Sequence, residues 1–248
     1  MSDLAEKTTI VVGASRGLGR GIAAALAGAG APVVAVARTA AGLADLAGVH
    51  EVADAGDPSV AGRLLDRYEP RALVLVAGAT PLPRPLHQQT WETFSVNWHT
   101  DVRIAFNWLR ESLLKPLAPG SRVVVISSGA ALGSGSPLSG GYAGAKATQL
   151  FMTGYAQEEA ARAALGITFT AVLPQLTPLT DLGRPAVRAY AARGGQSEDE
   201  YLARFGDPLT PAIAGAALVE LLRSDAAGLD RGYLLTGSGL QKLPHPSA

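Results

Sequence analysis

Short apolar segments rich in β-branched residues alternate along this chain with longer segments of helical periodicity, and this alternation restricts the fold most. The predicted strands are Thr8–Val12, Val33–Ala37, Val49–Ala53, Ala72–Val76, Val123–Ile126, Thr168–Leu173 and Gly232–Thr236. The predicted helices are Leu18–Ala29, Ser59–Tyr68, Trp91–Leu114, Tyr142–Leu165 and Pro211–Arg223. Val49–Ala53 is a weaker candidate and Gly232–Thr236 is a candidate last strand, whereas the other five are too continuously apolar to have a solvated face and predict a buried parallel sheet. The order of elements therefore predicts an α/β fold with a doubly wound parallel sheet and helices on both faces, whose ligand crevice lies at the carboxyl ends of the strands.

Composition limits the classes of function. The chain has 248 residues, 48% of them hydrophobic, which predicts a single three-layer α/β/α domain over residues 1–248. Its formal net charge is zero and it contains no basic block, which argues against a nucleic-acid partner. It has no apolar run long enough to cross a membrane and no secretory signal, so we expect a cytoplasmic protein without a membrane partner. The absence of Cys and the wide spacing of His50, His87, His99 and His245 predict no metal site.

A glycine-rich segment joins the first predicted strand to the first predicted helix. Its sequence is Gly13-Ala14-Ser15-Arg16-Gly17-Leu18-Gly19. The glycines allow a tight turn and a close approach of the backbone, and the helix N-terminus offers N–H groups to a pyrophosphate. The spacing is Gly-x-x-x-Gly-x-Gly, which differs from the common dinucleotide fingerprint. The segment predicts a nucleotide-binding turn formed by residues 13 and 15–19.

The end of the second predicted strand bears on the choice between NAD and NADP. An acidic residue there would bind the ribose hydroxyls of NAD, but this strand ends in Val36-Ala37-Arg38-Thr39. A guanidinium suits phosphate geometry, so Arg38 and Arg16 predict a site for a 2′-phosphate. We therefore expect NADP(H) as the cofactor, with NAD(H) less favoured. The alternative for Arg38 is a solvated residue at a strand end.

Tyr142 and Lys146 are four residues apart at the start of a predicted helix. This spacing places a phenol and an ammonium on one helix face, one turn apart. A fixed positive charge favours the phenolate form of a neighbouring tyrosine, which can then exchange a proton with a substrate oxygen. The pair predicts a general acid/base.

Taken together, Gly13, Gly17, Gly19, Asn97, Ser128 and the motif Tyr142-x-x-x-Lys146 resemble the short-chain dehydrogenase/reductase family in its compact, single-domain branch. The resemblance extends from Thr8 to about Gly239 and implies a Rossmann-like fold. It implies that Tyr142 is the general acid/base, that Lys146 supports it and holds the nicotinamide ribose, and that Ser128 hydrogen-bonds the substrate oxygen. Asn97 resembles the helix-kink asparagine that supports a water relay. The alternatives are Ser127 in place of Ser128 and an ordinary helical role for Asn97.

The resemblance also implies cofactor contacts along the carboxyl edge of the sheet. They are expected from Asp54, which resembles the aspartate at the adenine, and from Ala77, Gly78, Pro174, Gln175 and Thr177, with Thr180 as the alternative to Thr177. Two family motifs are altered in this chain. The usual Asn-Asn-Ala-Gly is Leu75-Val76-Ala77-Gly78, and the usual Pro-Gly is Pro174-Gln175. These changes put the strength of cofactor binding in question more than the fold.

The leading hypothesis is an NADP(H)-dependent oxidoreductase that reduces a ketone or aldehyde to an alcohol or catalyses the reverse, on a small-molecule substrate. The alternative is a sensor or scaffold that binds NADP(H) without chemistry. The irregular segment Thr177–Phe205 predicts a substrate loop or lid, and a solvated loop with two short helices is its alternative. The resemblance further implies a homo-oligomer, a tetramer or a dimer, assembled through the helices Trp91–Leu114 and Tyr142–Leu165.

Overall fold

A computed structural model describes residues 4–132, 138–225 and 228–244 of the chain. One sheet of eight strands runs through it in the order β3-β2-β1-β4-β5-β6-β7-β8. The strands are β1 (Thr9–Val12), β2 (Val33–Ala37), β3 (Val49–Val52), β4 (Ala72–Leu75), β5 (Arg122–Ile126), β6 (Thr168–Pro174), β7 (Gly232–Thr236) and β8 (Gly239–Lys242). All neighbouring strands are parallel except β7 and β8. The predicted doubly wound parallel sheet is confirmed, and the antiparallel β8 at its edge was not predicted.

Eight α-helices flank the sheet in the described part of the chain. They are α1 (Gly17–Gly28), α2 (Pro58–Tyr68), α3 (Trp91–Asn97), α4 (Arg103–Leu114), α5 (Gly140–Arg162), α6 (Gly183–Arg193), α7 (Glu198–Leu202) and α8 (Pro211–Arg223). Local sequence explains several of their starts. Asp57 accepts a hydrogen bond from the backbone N–H of Ser59 and Pro58 occupies the first turn of α2, while Thr210 caps α8 in the same way.

The two faces of the sheet carry separate hydrophobic cores. Residues of α1 and α8 form one core with the sheet, whereas residues of α2, α4 and α5 form the other. Helices α1 and α8 pack closely because a side chain is absent where they cross: a Cβ on Gly215 would lie 2.6 Å from the Cβ of Ala25. The strands between these layers are almost wholly buried, which accounts for their uninterrupted apolar sequence.

The predicted helix Trp91–Leu114 is helical over its whole length, but it contains a π-helical turn that was not predicted. A π-helical turn, Trp98–Val102, separates α3 from α4. Such a turn inserts an extra residue into the helix and changes which side chains face the core. Hydrophobic periodicity could not reveal it, because both halves keep an apolar face. Of the residues singled out above, His245 lies outside the described residues, as do the ends of the predicted domain.

Candidate active site

A cavity of about 990 Å³ lies at the carboxyl ends of the parallel strands. Its wall includes residues that directly follow β1 to β6, such as Gly13, Arg38, Ala53, Ser127 and Gln175. The volume is at the upper end of the range of about 300–1,000 Å³ that is typical of small-molecule sites. Of the site residues predicted from sequence, all line this cavity except Asn97.

Close backbone packing explains the glycines of the turn between β1 and α1. Gly13 has φ +95°, and a Cβ on it would lie 2.6 Å from the backbone nitrogen of Ala77. A Cβ on Gly19 would lie 2.0 Å from the carbonyl oxygen of Gly13. Gly17 has φ +53° and faces open space, with Cγ2 of Thr180 as its nearest neighbour at 3.9 Å. Two glycines are therefore required by packing, and the third by its backbone conformation.

Arg38 and Asp54 line the cavity just after β2 and β3, and Arg16 lines it just before α1. Arg16 directly precedes α1 and its guanidinium lies 3.9 Å from the carboxylate of Asp181, with both side chains exposed. An exposed pair at this distance contributes little to stability. Arg38 is exposed directly after β2, and Asp54 accepts a hydrogen bond from the backbone N–H of Gly56 at 2.9 Å. Arg38 and Asp54 thus border the end of the cavity beside β2 and β3, whereas Arg16 faces Asp181 of the segment Thr177–Phe205.

Ser127 and Ser128 follow β5 but make different contacts. The hydroxyl of Ser127 is buried and donates to the carbonyl oxygen of Lys146 at 2.7 Å. The hydroxyl oxygen of Ser128 accepts from the backbone N–H of Ala130 at 3.2 Å, which leaves its proton able to donate elsewhere. Of the two serines, Ser128 is the one whose hydroxyl is oriented by its own loop, and it lines the cavity together with Tyr142.

Lys146 lies within a buried polar network. Its Nζ is 3.0 Å from Oδ2 of Asp101 and donates to Oε1 of Gln149 at 2.9 Å, with the carbonyl oxygen of Ile126 at 3.5 Å. The same Nζ is 5.5 Å from the centroid of the Tyr142 ring. Burial by itself lowers the pKa of Lys146, but the charges of Asp101 and Tyr142 and the hydrogen bond to Asp101 together raise the pKa above its ordinary value. Lys146 therefore stays protonated at neutral pH.

Asp101 belongs to the π-helical turn and is 1% exposed. Its Oδ1 accepts the backbone N–H of Ala79 at 2.8 Å and the side-chain amide of Asn97 at 3.2 Å. Gln149 donates to the carbonyl oxygen of Asp101 at 3.0 Å. A Cβ on Gly78 would lie 2.5 Å from Oδ2 of Asp101, so this glycine makes room for the carboxylate.

Asn97 is the last residue of α3 and lies behind the cavity wall. Its Nδ2 donates to the carbonyl oxygen of Ala79 at 2.8 Å and to Asp101. Its Oδ1 is buried and has no hydrogen-bond partner among the described residues. Asn97 is thus connected to Lys146 through the carboxylate of Asp101.

The segment Thr177–Phe205, predicted as the least regular part of the chain, contains the helices α6 and α7. Thr177 and Thr180 are both buried and their hydroxyls are 3.0 Å apart, so both alternatives for this position occupy the same wall. The rings of Tyr190 and Tyr201 are stacked with their centroids 6.0 Å apart, and the ring centroids of Tyr201 and Phe205 are 5.4 Å apart. Burial raises the pKa of Tyr190, whose hydroxyl donates to Ser139 at 3.0 Å. This aromatic row borders the cavity on the side of Tyr142.

Sequence reasoning missed Asp101 and Gln149. A signal was present, since Asp101 is four residues after Asn97 and Gln149 is three residues after Lys146, so each shares a helix face with a predicted site residue. Polar side chains at such positions are costly to bury unless they pair, which is the pattern observed.

Within the described ranges, no group of three or more His, Cys, Asp or Glu side chains is arranged to hold a metal ion. None of the described helices is long and apolar enough to cross a membrane.

Comparison with known proteins matches residues 7–191 to a family model described as short chain dehydrogenase. L-xylulose reductase of Homo sapiens is 36% identical over 105 residues, which are 40% of this chain and 43% of the relative. The hydroxynaphthalene reductase-like protein Arp2 of Metarhizium majus is 33% identical over 159 residues, covering 58% of this chain and 59% of the relative. The matches thus span about half the length of these curated relatives.

A solved structure provides a comparison over more of the chain. It is described as a putative NAD(P)-dependent gluconate 5-dehydrogenase from Beutenbergia cavernae with bound NADP at low occupancy. It superposes with a TM-score of 0.75 at 28% identity, covering 91% of this chain and 92% of that chain.

Proposed function

The chain belongs to the short-chain dehydrogenase family, and on this premise we propose that it is an NADP(H)-dependent oxidoreductase that interconverts a carbonyl and an alcohol. The observation that carries the proposal is that Ser128, Tyr142 and Lys146 line the same cavity as the glycine turn. A nucleotide site and a proton donor thus share one cavity, as hydride transfer to a carbonyl requires.

The residues of the cavity fit a dinucleotide. The N-terminus of α1 faces the cavity beside Gly17, which offers backbone N–H groups and a positive dipole to a pyrophosphate. Arg38 supplies a cation for a 2′-phosphate beside β2, and Arg16, whose guanidinium is 3.9 Å from Asp181, is the second cation proposed for it. Asp54 lines the cavity after β3, and Ala77, Gly78, Pro174, Gln175 and Thr177 line it after β4 and β6. The solved structure from B. cavernae, described as NAD(P)-dependent with bound NADP at low occupancy, is consistent with an NADP(H) site here.

When bound, NADPH supplies the hydride that reduces the carbonyl carbon. The chain provides the proton: the phenol of Tyr142 donates it to the carbonyl oxygen as negative charge develops there. Ser128 donates a hydrogen bond to the same oxygen and stabilises that charge. The ammonium of Lys146 stabilises the phenolate left on Tyr142. Oxidation of the alcohol uses the same groups in reverse.

Asn97 supports the resupply of the proton. Its buried Oδ1, which has no partner among the described residues, is an acceptor that an ordered water would satisfy. Such a water would connect the neighbourhood of Lys146 with solvent.

The lid Thr177–Phe205 provides the substrate end of the site. Its aromatic row of Tyr190, Tyr201 and Phe205 offers flat apolar surface, and Arg193 and Arg204 also line the cavity. This lining suits a substrate larger than a short aliphatic ketone, because the row extends the cavity beyond the reacting groups. The names of the two reductase relatives are consistent with reduction as the favoured direction.

A homo-oligomer is proposed from the outer surface of α4 and α5, which pack side by side. Phe106 on α4 is 54% exposed and Phe151 on α5 is 73% exposed, next to Tyr155. Exposed aromatic side chains grouped in this way are typical of protein interfaces.

A non-catalytic NADP(H)-binding protein is the second candidate, favoured by one observation. Lys146 is already paired with Asp101 and Gln149, as a purely structural lysine would be. This reading gives no reason for Tyr142 and Ser128 to line the same cavity.

Fluorescence titration with NADPH and NADH, followed by assays of NADPH consumption with ketones and aldehydes, tests the proposal. We expect tighter binding of NADPH and measurable reduction by the wild-type chain. Tyr142→Phe should keep NADPH binding and lose turnover by a factor of about 10²–10⁴, the contribution of a general acid. Undiminished turnover in this variant would refute the role of Tyr142, and NADPH binding without any turnover would favour the second candidate.

A further inference from the structure

The ion pair between Asp101 and Lys146 is buried against the proposed proton donor. Asp101 is 1% exposed and Lys146 is 5% exposed, and their charged atoms are 3.0 Å apart. In this environment two opposite charges largely cancel each other's field at a third group. Tyr142 is that third group, because the ammonium lies 5.5 Å from its ring.

The pair is held from several sides. Asp101 is anchored by the N–H of Ala79 and the amide of Asn97, and Gln149 bridges the carbonyl oxygen of Asp101 and the ammonium of Lys146. Gly78 leaves the space that the carboxylate fills. The network therefore leaves Lys146 little freedom to change partner, and it places a full negative charge beside the ammonium.

Few other ionisable groups face this pair in the described part of the chain. Tyr142 lies on α5, Tyr190 of α6 interacts with Tyr142, and β5 presents the carbonyl oxygen of Ile126 and the hydroxyl of Ser127. The ionisable neighbours of Asp101 in sequence are directed elsewhere: His99 is exposed, and Arg103 lies next to Gly56. Asp101 is therefore the anion that most directly offsets Lys146.

We infer that Asp101 is a positioning residue that fixes the Lys146 ammonium and offsets its charge at the Tyr142 phenol, so that replacing Asp101 by a neutral residue of the same size favours the phenolate form. A protonated phenol is the form that donates during carbonyl reduction, so the pairing favours that direction. The inference rests on the proposed function only for this consequence, since the effect on Tyr142 exists whether or not the chain turns over a substrate.

The test is a titration of phenolate absorbance in the cofactor-free protein. The signal of Tyr142 is isolated by subtracting the titration of the matching variant that also carries Tyr142→Phe. In Asp101→Asn, the charge is removed while the size of the side chain is kept. We expect the Tyr142 phenolate to form at a pH lower than in the wild type by about one unit or more. An unchanged or higher midpoint would overturn the inference.

Gln149→Leu is the matched control, because it removes two hydrogen bonds of the same network without changing any charge. Its midpoint should remain at the wild-type value, and a shift equal to that of Asp101→Asn would mean that loosened packing is the cause. Should Asp101→Asn fail to fold, Gln149→Glu decides the question by adding a second carboxylate at the ammonium. Its midpoint should rise above the wild-type value, and a midpoint at or below that value would overturn the inference.

The two proposals fail separately. A shifted titration in a protein that turns over no substrate would leave the inference standing and reject the proposed enzyme. Turnover with NADPH in a protein whose titration is unaffected by Asp101→Asn would support the proposed enzyme and reject the inference. In an active enzyme, the pH profile of reduction by Asp101→Asn should decline at lower pH than that of the wild type.

Discussion

The two ends of the cavity are built from different parts of the polypeptide. The glycine turn at Gly13–Gly19 is formed by backbone atoms from one short segment, in which close contacts exclude side chains. The opposite end depends on side chains that are distant in sequence, such as Asp101 and Gln149, which are 48 positions apart. The first end is a steric arrangement and the second an electrostatic one. A substitution at the turn should therefore act through volume, whereas a substitution at the network should act through charge.

Breaking the charge network should have the largest effect on stability. Lys146→Met leaves Asp101 buried without its cation, and such a loss typically costs about 3–5 kcal/mol in the free energy of unfolding. The double variant Lys146→Met with Asp101→Asn contains no uncompensated charge and should recover part of that loss. Urea denaturation of the wild type, both single variants and the double variant measures the coupling. Additive losses would show that the two charges do not depend on each other.

Adding volume at the glycine turn should have the next largest effect. Gly13→Ala places a Cβ against Ala77 at a residue with positive φ, and we expect a loss of about 2–4 kcal/mol in the free energy of unfolding together with weaker NADPH binding. The matched control is Gly28→Ala at the opposite end of α1, where nothing lies within 4 Å of the added Cβ. It should be neutral or slightly stabilising. Equal losses in both variants would contradict the steric account of the turn.

Removing one exposed cation should change cofactor preference without changing stability. Arg38→Ala should raise the Kd for NADPH by about 10–100-fold, because a charge-assisted contact with the 2′-phosphate is lost, and should leave the Kd for NADH close to that of the wild type. Arg110→Ala is the control, since Arg110 is exposed, pairs with Glu111 and does not line the cavity. Fluorescence titration measures both constants. Equal weakening for NADPH and NADH would remove Arg38 from the 2′-phosphate site.

A substitution on the outer surface should affect neither end of the cavity. Phe151→Glu should shift the assembly toward smaller species while changing the unfolding free energy of the isolated chain by about 0.5 kcal/mol or less. Light scattering at several concentrations measures the mass, and Gly154→Ala, where an added Cβ meets nothing within 4 Å in the chain itself, shows how tightly a partner packs there. A wild-type protein that is monomeric at all concentrations would reject the proposed oligomer.

The fold and the glycine turn were readable from sequence because both depend on local patterns. Buried parallel strands require continuous apolar residues, so β1, β2, β4, β5 and β6 were found within one or two residues of their ends. Strand β8 was missed because it is short, exposed and lacks that pattern. The π-helical turn was missed because one extra residue in a helix leaves the surrounding periodicity almost intact.

The sequence by itself determined the order of strands and helices, the glycine turn and the one-turn spacing of Tyr142 and Lys146, because each depends on residues close together in the chain. Only the tertiary structure decided what surrounds Lys146. The π-helical turn brings Asp101 to the ammonium, and Gln149 closes the network from α5. Such contacts depend on how α3, α4 and α5 pack, and the charge of a buried lysine acts on its neighbours according to the partner that this packing provides.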